Sequence, residues 1–204
     1  MTTDSAFWDR IAVKYAARPV GDPAAYETTL QRVRHWLRPD MAVLELGCGT
    51  GTTALRLSDA VRRYTATDAA QGMLDIAMAK PVPDGGALRF VRAEAQEAVQ
   101  PGYDVILAFS LLHLLPGRRD LMAQVRAALP AGGVFISKTP CLAGKPWFRP
   151  LIAVLRWFGK APPGVGFVSP SMLQAELREA GFEIVETGDY PKSLPNHFIV
   201  ARAV

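Results

Sequence analysis

A short apolar run that ends in three glycines at alternate positions constrains this chain more than any other feature of its sequence. The run is Met41–Leu46, the glycines are Gly47, Gly49 and Gly51, and a stretch with helical character follows. Glycine adopts positive φ without a steric penalty and lets backbone N–H groups approach a ligand closely. A helix N-terminus adds a positive dipole end. The segment is typical of a strand–loop–helix unit that binds a nucleotide-like ligand, although a glycine-rich turn alone is a weak indication.

Short, mostly apolar runs recur along the chain and alternate with helical patterns. The further runs are Tyr64–Thr67, Leu88–Val91, Tyr103–Phe109 and Val134–Ser137. The helical stretches between them are Thr52–Ser58, Met73–Lys80 and Leu121–Leu129. Strands that are buried on both faces lack the inside–outside alternation of antiparallel sheets. Because these runs alternate with helices, they indicate a parallel α/β sheet.

The segments on either side of this core follow different patterns. Two helical patterns precede residue 40, and residues 139–168 combine five prolines with a very apolar stretch, which predicts an insertion rather than another βα unit. Ser169-Pro170 then predicts a helix start, Gly181 predicts its end, and two β-like runs follow. We expect a single domain over 1–204 with four parts: a helical cap (1–40), a core (41–138), a lid insertion (139–168) and a C-terminal helix with two strands (169–204).

Acidic residues stand at the ends of three predicted strands. Glu45 lies inside the first strand, two residues before Gly47, where a carboxylate is costly to bury without a donor or a cation nearby. Asp68 ends the second strand, and an acid there can accept hydrogen bonds from both hydroxyls of a ribose. Glu94 follows the third strand. A ligand that carries an ammonium group and a sulfonium would supply the cation that Glu45 needs.

With these motifs in this order, the chain resembles the class I S-adenosylmethionine (SAM)-dependent methyltransferases. It is most similar to the small-molecule branch that includes the ubiquinone- and menaquinone-biosynthesis methyltransferases, and the resemblance covers roughly residues 40–140. The resemblance implies a Rossmann-like α/β fold with a seven-stranded, mostly parallel sheet, an antiparallel last strand and helices on both faces. It also implies SAM as the cofactor and a small, hydrophobic methyl acceptor as the partner.

The resemblance implies roles for particular residues. Those expected to bind SAM are Glu45, Gly47, Cys48, Gly49, Gly51, Asp68, Ala69, Met73, Glu94, Ala95, Phe109 and Ser110. The glycine loop would hold the methionine end, Glu45 its amino group, and Asp68 the ribose. Positions 69, 73, 94 and 95 would lie beside the adenine, and 109 and 110 would contact the methionine moiety through their backbone.

Several of these residues have a second interpretation. The glycine turn could serve strand–helix packing alone, and Asp68 could cap the next helix as well as bind a ribose. Glu94 stands where the family more often has Asp, and it could be an ordinary solvated acid. Met73 could belong to the core. Cys48 fits the turn as a small residue, and the sequence shows no neighbouring base that would make it a nucleophile.

Methyl transfer from a sulfonium is an in-line displacement, so it needs close approach and alignment more than acid–base chemistry. His113, just past the fourth strand, is our candidate for a base or substrate contact, and Tyr15 in the first helix is a candidate to close over the cofactor. Either side chain could instead be core. The isolated cysteines and widely spaced histidines predict no metal site.

The insertion gives an indication of the substrate, and the N-terminus and the longest apolar run give an indication of where the protein is located. Residues 147–158 are too apolar to be freely solvated, which favours a lid over a hydrophobic pocket. The alternatives are a segment packed on its own protein and a helix that contacts a membrane surface transiently. The N-terminus lacks the pattern of a secretion signal, and the longest apolar run is too short to span a bilayer. We therefore expect a cytoplasmic protein.

Two competing functions share parts of this pattern. An NAD(P)-dependent Rossmann oxidoreductase would also have a glycine loop and a strand-end acid, but the spacing here is GxGxG rather than GxGxxG. An RNA methyltransferase is compatible with a net charge of +4. The basic residues are scattered, however, and no appended RNA-binding module is visible, so no nucleic-acid partner is expected.

Overall fold

The computed structural model describes residues 3–82, 87–144, 147–158, 160–162, 164–191 and 196–204. Of the five prolines noted in the insertion, Pro146 and Pro163 lie outside these ranges. The strands are β1 (Ala42–Leu46), β2 (Arg63–Asp68), β3 (Leu88–Arg92), β4 (Val105–Phe109), β5 (Val134–Pro140), β6 (Phe182–Asp189) and β7 (Asn196–Ala203). The helices are α1 (Thr3–Ala16), α2 (Pro23–His35), α3 (Thr52–Leu57), α4 (Gln71–Met78), α5 (Ala95–Ala98), α6 (Arg118–Ala128), α7 (Phe148–Trp157) and α8 (Pro170–Glu179).

The seven strands form one sheet in the order β3-β2-β1-β4-β5-β7-β6. The pairs among the first five strands are parallel, whereas β7 runs antiparallel to both of its neighbours. This confirms the expected seven-stranded sheet with an antiparallel last strand. The register of β6 against β7 shifts between Ile184 and Glu186, which marks an irregularity in that edge pair.

Helices cover both faces of the sheet, as the alternating pattern predicts. Successive residues of β1 point to opposite sides: Leu44 belongs to a core cluster that includes residues of α6 and α8, and Val43 to one that includes residues of α2 and α3. The central strands β1, β4, β5 and β7 are therefore buried on both faces, which explains their mostly apolar sequences, whereas the edge strands β3 and β6 are only partly buried. Within the described part of the chain, every helix falls short of the length and apolarity that a membrane crossing requires.

The predicted boundaries of the C-terminal helix are confirmed. The Ser169 side chain accepts a hydrogen bond from the Met172 amide, Pro170 is the first helical residue, and Gly181 has φ of +90° just beyond the end. Inside the insertion, the apolar stretch folds as α7. The insertion is thus partly helical, and the Ala143 amide joins its two ends by donating to the Val168 carbonyl at 3.0 Å. The Val168 side chain is buried in the core.

The strand order places a crevice beside β1. This strand lies between β2 and β4, whose connections leave in opposite directions, so the loops at their carboxyl ends separate. Ligands of open α/β sheets bind at such a switch point. The residues that end β1, β2 and β4 are Leu46, Asp68 and Phe109, and the glycine loop follows the first of them.

A candidate ligand site at the carboxyl edge of the sheet

The glycine loop after β1 has a backbone that glycine alone adopts without strain. Gly47, Gly49 and Gly51 have φ of 67°, 54° and 74°. Gly51 is required for a second reason, since a Cβ there would lie 2.8 Å from both the Ala77 Cβ and the Phe90 Cε1. Close packing of the loop against α4 and β3 therefore demands glycine at this position.

Asp68 fastens the glycine loop to the end of β2. Its Oδ2 accepts a hydrogen bond from the Gly49 amide at 2.8 Å, and its Oδ1 accepts one from the Ala70 amide at 2.9 Å. The helix cap is Ala70 rather than Asp68, which corrects the capping alternative. Burial raises the pKa of Asp68, although both amide donors oppose the shift. Each carboxylate oxygen has a further lone pair, so the side chain can still accept a ligand hydroxyl.

Glu45 is a buried carboxyl with one protein partner among the described residues. It is 2% exposed, and the Tyr64 hydroxyl donates to its Oε2 at 2.8 Å. Burial raises its pKa to about 8, although the Tyr64 hydrogen bond lowers it. The side chain is thus largely protonated at neutral pH, and a nearby cation would favour its ionised form. The Tyr64 contact was not foreseen from the sequence.

Two adjoining cavities open at this edge of the sheet, with volumes of about 140 Å³ and about 460 Å³. They share Tyr15, Gly47, Gly49, Phe109 and Ser110 in their walls. The smaller cavity extends along the ends of β2 and β3, and the larger one extends over the ends of β1 and β5. A ligand that passes over the glycine loop can therefore occupy both.

Eleven of the twelve residues expected to bind SAM line these cavities. The smaller cavity has Asp68, Ala69, Met73, Glu94 and Ala95, the larger has Glu45 and Cys48, and both have Gly47, Gly49, Phe109 and Ser110. The exception is Gly51, which is buried against Ala77 and Phe90 on the side of the loop that packs on α4 and β3. Its packing against these side chains accounts for glycine at this position, and its contact with SAM stays a prediction. The roles of the other residues stay predictions.

The alternative interpretation of Met73 as a core residue applies together with its predicted binding role, whereas that of Glu94 as a solvated acid does not. Met73 is buried against α1 and also lines the smaller cavity. Glu94 begins α5 in a reciprocal capping arrangement with Glu97, so it is a structured residue rather than a freely solvated acid. Its position is therefore fixed beside the smaller cavity.

The end of β4 bends at Ser110, which has φ of 53° without being glycine. Its amide donates to the Lys138 carbonyl at 2.8 Å, which holds the bend against β5. Non-glycine residues in this conformation are strained and occur preferentially at functional sites. The bend turns the chain out of the sheet at the junction of the two cavities.

The two candidate catalytic residues are placed differently. Tyr15 lies at the junction of the cavities, with its ring edge-on to Trp8 at 5.8 Å. His113 is absent from the described lining of both cavities, and burial lowers its pKa to about 4. Its Nδ1 is buried without a hydrogen-bond partner among the described residues. The structure therefore favours the packed alternative for His113, because apolar surroundings hold the imidazole neutral outside the site.

The sequence analysis missed several residues of the cavity walls. Trp8 joins the smaller cavity from α1, while Thr29 of α2, Lys80 after α4 and Lys138 of β5 reach the larger one. Trp8 could have been predicted, because it lies on the same helical stripe as Tyr15. The register that pairs Phe109 with Lys138 is a tertiary feature, and no sequence pattern reveals it.

Sequence comparisons match parts of this chain to known proteins. A family model described as a methyltransferase domain matches residues 43–133. A highly reducing polyketide synthase of a Fusarium species is 30% identical over 178 residues, which are 78% of this chain and 7% of that protein. An uncharacterized protein of Haemophilus influenzae is 43% identical over 68 residues, which are 33% of this chain and 25% of that one. The chain therefore spans a quarter or less of the length of these relatives.

Solved structures share the fold at low identity. Magnesium protoporphyrin IX methyltransferase from Synechocystis PCC 6803, crystallised with bound SAH, superposes with a TM-score of 0.70 and 18% identity. The match covers 100% of this chain and 95% of that one. An S-adenosylmethionine-dependent methyltransferase from Mesorhizobium loti gives a TM-score of 0.70 at 21% identity, covering 89% of this chain and 99% of the other.

Proposed function

We propose that this chain transfers a methyl group from SAM to a small-molecule acceptor, because residues 43–133 match a methyltransferase domain and the chain has the fold of the class I SAM-dependent methyltransferases. One observation carries the proposal. Asp68 at the end of β2 binds the Gly49 amide, which holds the glycine loop at the mouth of both cavities. This arrangement joins a ribose acceptor to a loop that can lie against the rest of a nucleoside-containing ligand.

The residues of the two cavities fit SAM in chemistry and in order. The smaller cavity would take the adenosine, with Met73 and Ala95 against the base and Asp68 at the ribose. The larger one would receive the methionine end beside Glu45, whose buried carboxyl can release its proton when an ammonium group arrives. When bound, SAM supplies an electrophilic methyl group.

The protein contributes position rather than acid–base chemistry in this proposal. Tyr15, Phe109 and Ser110 form the wall that both cavities share, so they would border the donor and the acceptor. A displacement in line with the departing sulfur gains most from such alignment. Because His113 lies outside the cavity lining, no general base is assigned, and the proposal favours an acceptor that reacts without one.

The experiment is calorimetry of the purified protein with SAH, SAM and NAD⁺. We expect SAH and SAM to bind at micromolar concentrations and NAD⁺ to give no heat. Turnover is then measured with radiolabelled SAM on a panel of phenols, amines, carboxylic acids and RNA. Binding of NAD⁺ without SAH would support the oxidoreductase instead, and methylation of RNA alone would support the nucleic-acid alternative.

We propose a lid role for the insertion, together with transient contact with a membrane surface. The charged side chains of helix α7 contact the protein. Arg149 lies over the Phe167 ring at 5.1 Å, and Arg156 donates to the Pro162 and Val165 carbonyls. The apolar residues Trp147, Leu151, Val154, Trp157 and Phe158 are exposed instead. An exposed apolar helix face with aromatic residues is typical of proteins that lie at a lipid interface, and it supports a route for lipophilic acceptors.

A further inference from the structure

Lys138 places a cation over the outer part of the larger cavity. It pairs in register with Phe109 of β4 and Phe198 of β7, and its side chain points to the α2 face of the sheet. There its Nζ donates to the Thr29 Oγ1 at 2.8 Å. Because the Thr29 hydroxyl itself donates to the Ala25 carbonyl at 2.8 Å, its lone pairs are turned toward the lysine.

The ammonium group of Lys138 has more donors than the described residues use. It carries three N–H groups, and Thr29 accepts one. Among the described residues, no acid lies within ion-pair distance of the Lys138 ammonium group. Burial lowers the pKa of Lys138. The charge of Asp22 acts in the opposite direction and raises the pKa of Lys138, but its carboxylate accepts a hydrogen bond from the Ala25 amide at 2.9 Å at the start of α2. Glu45, the carboxyl in the same cavity, accepts from the Tyr64 hydroxyl and would face the ammonium group of the cofactor rather than Lys138.

Lys80 differs from Lys138 in its surroundings. Its Nζ donates to the Thr50 carbonyl at 2.6 Å and to the Thr52 Oγ1 at 3.2 Å, so it is bound to the glycine loop and the start of α3. Lys138 lies two strands away from β1, across β4. At a spacing of about 4.8 Å between strands, this puts its strand roughly 10 Å from the one that leads into the loop. Lys80 is therefore tied to the loop proposed to hold the cofactor, whereas Lys138 belongs to a strand that is separated from β1 by β4.

We propose that Lys138 binds an anionic oxygen group, a carboxylate or a phosphate, on the methyl acceptor. This inference rests on the proposed methyl transfer and refines it, since it replaces a purely hydrophobic acceptor with one that has a charged end. A lysine is a compact point charge that accepts either anion. The apolar part of the acceptor would then face Phe109 and the junction with the smaller cavity.

The test measures small aromatic probes against the protein saturated with SAH. Benzoate, phenyl phosphate and neutral benzamide share one ring and differ in the group that Lys138 would meet. We expect at least one of the two anions to bind tenfold or more tightly than benzamide, and the better one identifies the group. Lys138→Gln should remove this preference while SAH affinity changes less than threefold. Arg38→Gln, which removes an exposed cation elsewhere, should change neither value.

Each result decides a different question. Failure of the unaltered protein to bind SAH refutes the proposed function itself. Normal SAH binding with equal affinity for all three probes overturns the Lys138 inference alone. An equal loss of SAH and probe binding in Lys138→Gln would mean that Lys138 holds the carboxylate of the cofactor, which also overturns it. If that variant does not fold, Lys138→Arg should retain the preference, and the comparison of probes on the unaltered protein still stands.

Discussion

At the scale of single residues, Glu45 makes stability depend on pH. Its folded pKa of about 8 lies above the ordinary value of 4.5, so the folded state holds a proton that the unfolded state has released. The stabilisation is complete below about pH 4.5 and is lost as pH rises through about 8, at up to about 1.4 kcal/mol per unit. We expect urea unfolding of the ligand-free protein to show this decline. Glu45→Gln, which can still accept from Tyr64, should flatten it.

The control for this experiment is Glu183→Gln, since Glu183 is an exposed acid in a loose ion pair with Arg202. That variant should keep the slope of the unaltered protein. If Glu45→Gln shows the same decline between pH 5.5 and 8.5, the pH dependence has another source, and Glu45 is ionised in the folded protein.

Asp68 should contribute more to cofactor affinity than its exposure suggests, because it holds the loop as well as facing the ligand. In Asp68→Asn, an amide nitrogen would oppose the Gly49 or the Ala70 amide, so one of the two backbone contacts is lost. Hydrogen bonds to a charged group contribute about 1.5–3 kcal/mol. We expect the SAH dissociation constant to rise about 10- to 100-fold by calorimetry. Asp75→Asn, on the exposed side of α4, should leave it unchanged; equal constants in both variants would refute the role.

Most residues predicted from the sequence to bind SAM line the two cavities, and there is a physical reason for this. Residues such as Asp68 and Phe109 end buried strands, and parallel strands bring their carboxyl ends to one edge, so position along the chain was enough. Contacts across the sheet were not accessible in this way. Three features depend on register and on side-chain direction. They are the hydrogen bond from Tyr64 to Glu45, the hydrogen bond from Lys138 to Thr29, and the absence of His113 from the described cavity lining.

At the scale of elements, α7 offers a test of membrane contact. Trp157 is 89% exposed, so replacing it with serine removes apolar surface without disturbing the core. We expect Trp157→Ser to lower binding to vesicles of phosphatidylcholine and phosphatidylglycerol at least fivefold, with the melting temperature unchanged. Val13→Ser, which alters an apolar residue of α1 that is 79% exposed, should bind as the unaltered protein does. Sedimentation with vesicles measures this, and absence of binding by the unaltered protein would rule out the contact.

At the scale of the whole molecule, periodicity predicted which segments are strands but not their order. The runs around Leu44 and Ile106 are equally apolar, and nothing in either shows that β1 and β4 are neighbours while β2 and β3 extend the sheet the other way. The antiparallel β7 is also invisible to local pattern, since it is as deeply buried as the parallel strands. The antiparallel last strand followed only from the resemblance, and the strand order was not predicted at all.

Helix α1 lies outside the sheet and its immediate connections, and we expect a bound ligand to stabilise its packing against the rest of the molecule. Its Ser5, Trp8 and Tyr15 line the cavities, and its Asp9 accepts the Gly72 amide of α4 at 2.7 Å. A ligand between α1 and the glycine loop must be released before the helix opens. Saturating SAH, at about 100 times its dissociation constant, should therefore slow amide exchange in α1 by up to about 100-fold. Mass spectrometry should show a smaller change in α8, which contributes no residue to the described lining of either cavity. Equal slowing in the two helices would mean that SAH stabilises the molecule without contacting α1.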